Sequence, residues 1–528
     1  MRSMRTGVVL LALGMLVLGC TSDAREKSAG DTLVVAAASE LQPLNPLVVT
    51  EANTNQLILH ALFVPLVRFD EALNFVPAAA ESWQLDGDTA LTLRLRRDLR
   101  WHDGVPTSAH DVVFTFERMM DESTGFPYTW LFDGWQRVEA TDSFTVRLIG
   151  QAPHEPLLGW ALTAIVPKHL LDSIPADRLR EAAFGSQPVG NGPFRFVGHQ
   201  TNSQWVFEAN PDFPAALGGP PQVNRLVWRI IPDNAAQLAE LEAGTIHIAL
   251  APRAEQAKQL DAREQFSAVI SPSARYLVIG WNNKRPELRD ARVRRALAHA
   301  LDRSEMLAVL RAGYGQIAAT PIAPFHAMYD SSVAAVEFDT ARAKALLAEA
   351  GLRDRDGDGF VEDRNGGKWS IELKLPAGNQ FNADVAEMIR ADLQAIGVRA
   401  TTRATEFATL IQDISTPQRN FDAVLIGFEA DLLPDLRETF HSRYIDGPMQ
   451  MASYSNPQLD ALLDSIANTR DPTKQRALWS RTQTILRDEQ PWTMLWFSPN
   501  ITVARENVQN FAPDIRGLLV NITEWKLK

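Results

Sequence analysis

Cysteine is almost missing from this chain: Cys20 is the single one in 528 residues. That excludes an intramolecular disulfide, a Cys-based zinc site and any thiol chemistry in the body of the protein. Histidine is sparse as well, with ten scattered residues. No HExxH or GxSxG motif occurs, so the signatures of a zinc protease and of a serine hydrolase are both lacking. Gly313-Tyr314-Gly315 follows a helical pattern rather than a strand, so it does not open a nucleotide-binding unit. There is no Lys/Arg-rich run, and the formal net charge is −12. That balance argues against a nucleic-acid partner, which needs basic patches to meet phosphates. Beyond Cys20 no apolar run reaches the roughly 18 residues that span a bilayer. A catalytic role is therefore not expected.

What is present begins with a distinctive start. Arg2 and Arg5 precede an apolar run from Val8 to Leu18, and Val17-Leu18-Gly19-Cys20 follows. A charged start, a short apolar core and a small residue before the cut site make a secretory signal over 1–19. With Cys after the cut, the segment resembles a bacterial lipobox. Cys20 is then expected to carry lipid, and more than one acyl chain makes such anchoring durable. Residues 20–30 are small and polar, as suits a tether. The expectation is an extracytoplasmic protein held on a membrane.

The rest is ordinary for a soluble globular chain, 45% hydrophobic and 22% charged, and too long for a single core. Leu91, Leu93 and Leu95 alternate with polar residues, as do Phe144, Val146 and Leu148, which predicts half-exposed strands. Leu33 to Ser39, Trp205 to Phe207, Leu226 to Ile231 and Tyr276 to Trp281 predict further strands. Val293, Leu297, Ala300 and Leu301 share one helical face. From Ile371 the order is strand, helix to Ile396, strand, short helix around Phe407 to Ile414, and strand from Phe421 to Phe428. Repeats of this kind build a parallel sheet with ligands beyond its carboxyl ends. Two loops leave those ends, Pro376 to Asn382 and Glu429 to Asp435.

Several stretches resemble the family 5 extracellular solute-binding proteins, the oligopeptide, dipeptide and nickel receptors of ABC importers. Residues 80–120 hold a His102-Asp103-Gly104 turn and the Asp111 to Phe114 element. Residues 188–212 hold a Pro-Val-Gly-x-Gly-Pro motif, 289–302 an Asp-x-Arg-Val-Arg helix, and 453–493 the family's C-terminal helices. The likeness runs from about Asp31 to the C-terminus, in the family's order. It implies an α/β, two-lobed periplasmic-binding-protein-like fold (type II, cluster C-like) with an interlobe cleft. The first lobe is placed at 31–65, 188–272 and 500–528, an extra subdomain at 66–187, and the second lobe at 273–499. The implied function is a monomeric substrate-binding component that binds a peptide and presents it to the permease subunits. Oligosaccharides or nickel chelates are the alternative ligands, and a non-transport envelope lipoprotein is the rival from another class.

Within that frame, Asp431 best matches the carboxylate that pairs with a ligand's amino terminus, with Glu429 the alternative. The facing loop carries Asn379, Gln380 and Phe381 but no arginine, which disfavours a short ligand with a fixed carboxylate. Trp281 and Phe428 are candidate aromatic linings. No cofactor is required. Asp354, Asp356, Asp358 and Glu362 resemble half of a calcium loop, with Gly359 at its turn. The twelfth position is Asn365 and a strand follows, so an EF-hand is rejected and a structural Ca²⁺ is left as a possibility to be tested.

Overall fold

A computed structural model describes residues 32–528 apart from 133, 152–156, 251, 431, 433 and 470. The signal segment and Cys20 lie outside the described residues. Two large sheets organise the chain. The first has seven strands, in the spatial order Phe266–Ser271, Asn500–Arg505, Ile248–Leu250, Thr32–Ala37, Arg225–Ile230, Gln204–Ala209 and Phe194–Gln200. The second has six, in the order Gln316–Ile317, Trp492–Phe497, Arg275–Trp281, Ala423–Glu429, Ser370–Pro376 and Arg399–Thr405.

Strand periodicity divides each sheet between two cores. Leu33, Val35 and Ala37 point into one cluster while Ala36 points into another. Likewise Leu277, Ile279 and Trp281 face one side of the second sheet, and Tyr276 and Val278 the other. Both sheets are buried on both faces, which is why their strands read as nearly continuous apolar runs. The buried residues of the first sheet's clusters lie in 33–266 and 501–525, and those of the second in 276–497. Two lobes therefore carry separate cores.

A four-stranded antiparallel sheet, Ala80–Asp86, Ala90–Leu95, Thr145–Gly150 and Trp135–Asp142, belongs to the first lobe. Its buried Leu91, Leu93, Val146 and Leu148 sit in the same cluster as Leu33, Phe194 and Trp228. The chain crosses between lobes at two adjacent places. Ser271 pairs with Asn500 as the last rung of the first sheet, and Tyr276 pairs with Phe497 as an early rung of the second. Between them run 272–274 and 498–499, each with one proline (Pro272, Pro499). Side-by-side crossings of this kind make a hinge.

The stretches that carry the family resemblance turn out to be clamps. His102 donates its backbone N–H to the Gly190 carbonyl at 2.7 Å. Its Nδ1 accepts the Gly190 N–H at 3.1 Å, so Nε2 carries the proton and donates to the Gly192 carbonyl at 3.0 Å. Asn191 accepts the Val64 N–H at 2.8 Å. Asp111 caps its helix, Ala109–Met120, through Ser108 and also accepts the Lys168 N–H at 2.9 Å. In the second lobe Asp290 caps Ala291–Ala300, and buried Arg294 donates to the carbonyls of Leu288 (2.7 Å) and Glu489 (2.9 Å).

Gly190 is fixed by close approach: a Cβ there would lie 1.8 Å from the Leu62 carbonyl oxygen. Gly190→Ala is expected to cost about 3 kcal/mol of unfolding free energy. At Gly198 nothing lies within 4 Å, so Gly198→Ala should stay within about 0.5 kcal/mol of wild type. Urea midpoints of the two variants test this; equal midpoints would reject the clamp.

Candidate functional site

The parallel part of the second sheet sets the stage. Ser370–Pro376 runs parallel to Arg399–Thr405 and to Ala423–Glu429, as the strand–helix order predicts. Both loops do leave the same edge, but they do not reach equally far. The register Lys374↔Val424 brings Pro376 level with Ile426, so Ala423–Glu429 continues three residues, about 10 Å, further. That extension pairs Glu429 with Arg275 at the hinge. The loop beyond Glu429 therefore projects toward the first lobe.

There Leu432 lines a hollow with an enclosed volume of about 230 Å³, open on one side to solvent, whose other walls come from the first lobe. The enclosed part falls just short of ordinary ligand pockets, about 300–1,000 Å³. Leu59, Phe63 and Val67 form one apolar wall, Phe213 and Leu217 a second, and Val520 and Ile522 a third. Leu59 and His60 sit in a single π-helical turn, Ile58–Leu62, a rare distortion that is frequent at functional sites. Pro193, directly after the clamped Gly190–Gly192 segment, completes the lining.

Beside Thr523, one imidazole and two guanidinium groups face this space. Burial lowers the His60 imidazole to about 4, and its ring nitrogen lies 3.3 Å from the Arg516 carbonyl. Arg516 grips Asp514 with Nε at 3.1 and 3.0 Å and Nη2 at 2.5 Å, and donates to the Phe69 carbonyl at 3.2 Å. Arg68 has neither an ion pair nor a side-chain hydrogen bond among the described residues. Burial, and then the neighbouring Arg516, lower its pKa. Across the gap, Tyr128 of the first lobe has its phenol pushed up by burial and by the charge of Glu429, which brings Glu429 to the interlobe space.

The other sequence-predicted residues fall elsewhere. Asp431 lies outside the described residues. Trp281 is a correction: it is 1% exposed and donates Nε1–H to Thr493 Oγ1 at 2.8 Å. Antiparallel pairing puts Arg275 opposite Glu429 and Trp281 opposite Ala423, so Trp281 is about 20 Å from the cleft edge. Asn379, Gln380 and Phe381 do not line this hollow. Asn379 caps the helix Gln380–Ala395, Gln380 donates to Asp384 at 2.8 Å, and Phe381 packs edge-on to Trp496 beneath Arg311. Phe428 stacks on Trp492 with centroids 5.2 Å apart. His60, Arg68, Tyr128 and Arg516 were missed. The one available signal was a lone cation closing the apolar run Phe63 to Val67.

Two lobes on a hinge with an apolar hollow between them are the architecture of a solute-binding protein. The family model of the bacterial extracellular solute-binding proteins, family 5 Middle, matches residues 74–448, and the chain belongs to that family. It is 30% identical to the oligopeptide-binding protein AppA of Bacillus subtilis (strain 168), across 98% of this chain and 97% of that one. It is 26% identical to heme-binding protein A of Haemophilus influenzae, across 88% of this chain and 87% of that one. The solved structure of B. subtilis AppA in complex with a nonapeptide superposes with a TM-score of 0.76 at 29% identity, covering 94% of this chain and 99% of the other. No helix among the described residues is long and apolar enough to cross a membrane.

His60 and His102 are both held at about 4, chiefly by burial, below the roughly 6.5 of an unfolded histidine. The unfolded chain therefore binds protons first on acidification. Stability is complete above about pH 6.5 and falls as pH drops toward 4, by about 1.4 kcal/mol per pH unit for each histidine. Urea midpoints at pH 7.5, 6 and 5 measure it; a flat profile over that range would contradict the neutral, buried rings.

Proposed function

We propose that this protein is the extracytoplasmic substrate-binding component of an ABC importer, and that it closes on a peptide between its lobes and presents it to the permease. The carrying observation is the apolar interlobe hollow with Arg68, a guanidinium unpaired among the described residues, exposed in its wall. Apolar surface accepts side chains of varied shape, and a cation that closure would dry calls for a carboxylate. The names of its relatives support the same ligand class. Relatives that bind metal complexes use the same fold, but among the described residues His60 is the one histidine lining this hollow, which favours peptide over a histidine-held metal. Lipidation at Cys20 would keep the receptor beside the transporter. Asp431 is assigned to the ligand's amino group, and Glu429 stands two positions before it at the cleft edge.

Arg68→Met keeps the aliphatic stem and removes the charge. It should weaken free-acid peptides about tenfold in isothermal titration while leaving C-terminally amidated ones nearly unchanged. Equal losses for both forms would remove Arg68 from carboxylate binding. Asp431→Ala should weaken peptides with a free amino terminus more than tenfold, with N-acetylated peptides unaffected. Wild-type affinity in that variant rejects the assignment.

A further inference from the structure

We propose that the loop from Asp354 to Glu362 binds one Ca²⁺ that fastens the second lobe at the edge away from the ligand hollow. One carboxylate oxygen from each of Asp354, Asp356, Asp358 and Glu362 lies within 4.8 Å of the others. Oxygens on opposite sides of a Ca²⁺ ion at about 2.4 Å are about 4.8 Å apart, so the four can share one such cation; Mg²⁺, at about 2.1 Å, demands a tighter cage.

Glu362 supplies the independent observation. It is 3% exposed, its Oε2 accepts the Arg355 N–H at 2.7 Å, and its Oε1 has no hydrogen-bond partner. A buried carboxylate oxygen without a partner is costly, and this carboxylate lies beside three more. Arg399, paired with Asp358, is the one cation bonded to the four carboxylates among the described residues. A divalent ion would satisfy the orphaned oxygen and offset the repulsion together.

The geometry is not that of an EF-hand. Asp354, Asp356 and Asp358 take the first, third and fifth positions, with Gly359 at φ +89° in the sixth. Glu362 stands at the ninth and is turned inward by bridges to Arg353 and Lys368. The loop is tied to the sheet by Val361 N–H donating to the Gly397 carbonyl at 2.8 Å. It precedes Ser370–Pro376, so it sits at the amino end of that strand, about 20 Å from the cleft edge. The ion should thus stabilise the lobe without altering ligand affinity.

The full chain, stripped with EGTA, is titrated with CaCl₂ and with MgCl₂ by calorimetry. One Ca²⁺ per chain is expected, with Kd of about 10⁻³ M or tighter, as in extracellular calcium modules. Mg²⁺ should bind at least tenfold more weakly. Saturating Ca²⁺ should raise Tm by about 3 °C, and peptide affinity should change less than twofold. Glu362→Gln should lose the binding at least tenfold, together with the Tm rise. Should that variant fail to fold, Asp356→Asn, on the exposed side, provides the same comparison. No Ca²⁺ binding by wild type up to about 5 mM, or wild-type affinity in either variant, overturns the site.

Discussion

Two sheets that share no core are held together by two short strand crossings placed side by side, and the rest of the molecule follows from that placement. Ser271 and Asn500 end one ladder, Tyr276 and Phe497 begin the next, and Ser498 N–H donates to the Arg275 carbonyl at 2.8 Å between them. Ala430 N–H reaches the Ala274 carbonyl at 2.9 Å, which ties the start of the cleft loop to the same corner. Movement of one lobe on the other is channelled into rotation about this corner. The residues that swing furthest relative to each other are those beyond Glu429 and those on the facing wall of the first lobe.

That facing wall must be rigid for such a rotation to define a site. Rigidity comes from the first lobe's clamp rather than from the hinge. Gly190 and Gly192 have no side chain because the Leu62 carbonyl and its neighbours occupy that space. The backbone of Ile58–Leu62 is thereby held against the His102 turn, and the same segment carries Leu59 and His60 into the hollow. The motifs that make the family recognisable are therefore parts of a support for the ligand wall. Among the described residues they reach the ligand space only through Pro193, and otherwise act through the π-turn they support.

How much was legible in the sequence follows from the same division. Strand alternation at Leu91–Leu95 and the strand–helix order after Ile371 reported local burial, and both appear as read. The edge of the sheet that bears the cleft was also legible, because parallel strands leave no choice of edge. What could not be read was reach. Whether Pro376–Asn382 or Glu429–Asp435 extends into the gap depends on a stagger of three residues, set by pairing with a strand nearly 150 positions earlier. Trp281 was misplaced for a related reason: a strand's apolar run does not say which end meets the hinge. His60, Arg68 and Arg516 come together from distant segments, and nothing local to any of them marks that convergence.

Arg68 gives the hinge a reason to wait for ligand. Among the described residues, Arg516 is satisfied by Asp514 and the Phe69 carbonyl, whereas Arg68 has no such partner and a like charge beside it. Closing the lobes without a ligand would strip water from a guanidinium with no partner among the described residues, a cost of several kcal/mol after relaxation. A ligand carboxylate removes that cost only in the closed form, where it is also dry. Differential affinity for one of two states is the sole means by which a ligand can shift their populations. The charge is thus better placed to couple closure to occupancy than to add raw affinity, since a pair formed in the open cleft would be worth little. The apolar walls contribute area to any side chain, and the lone cation determines whether that area can be enclosed.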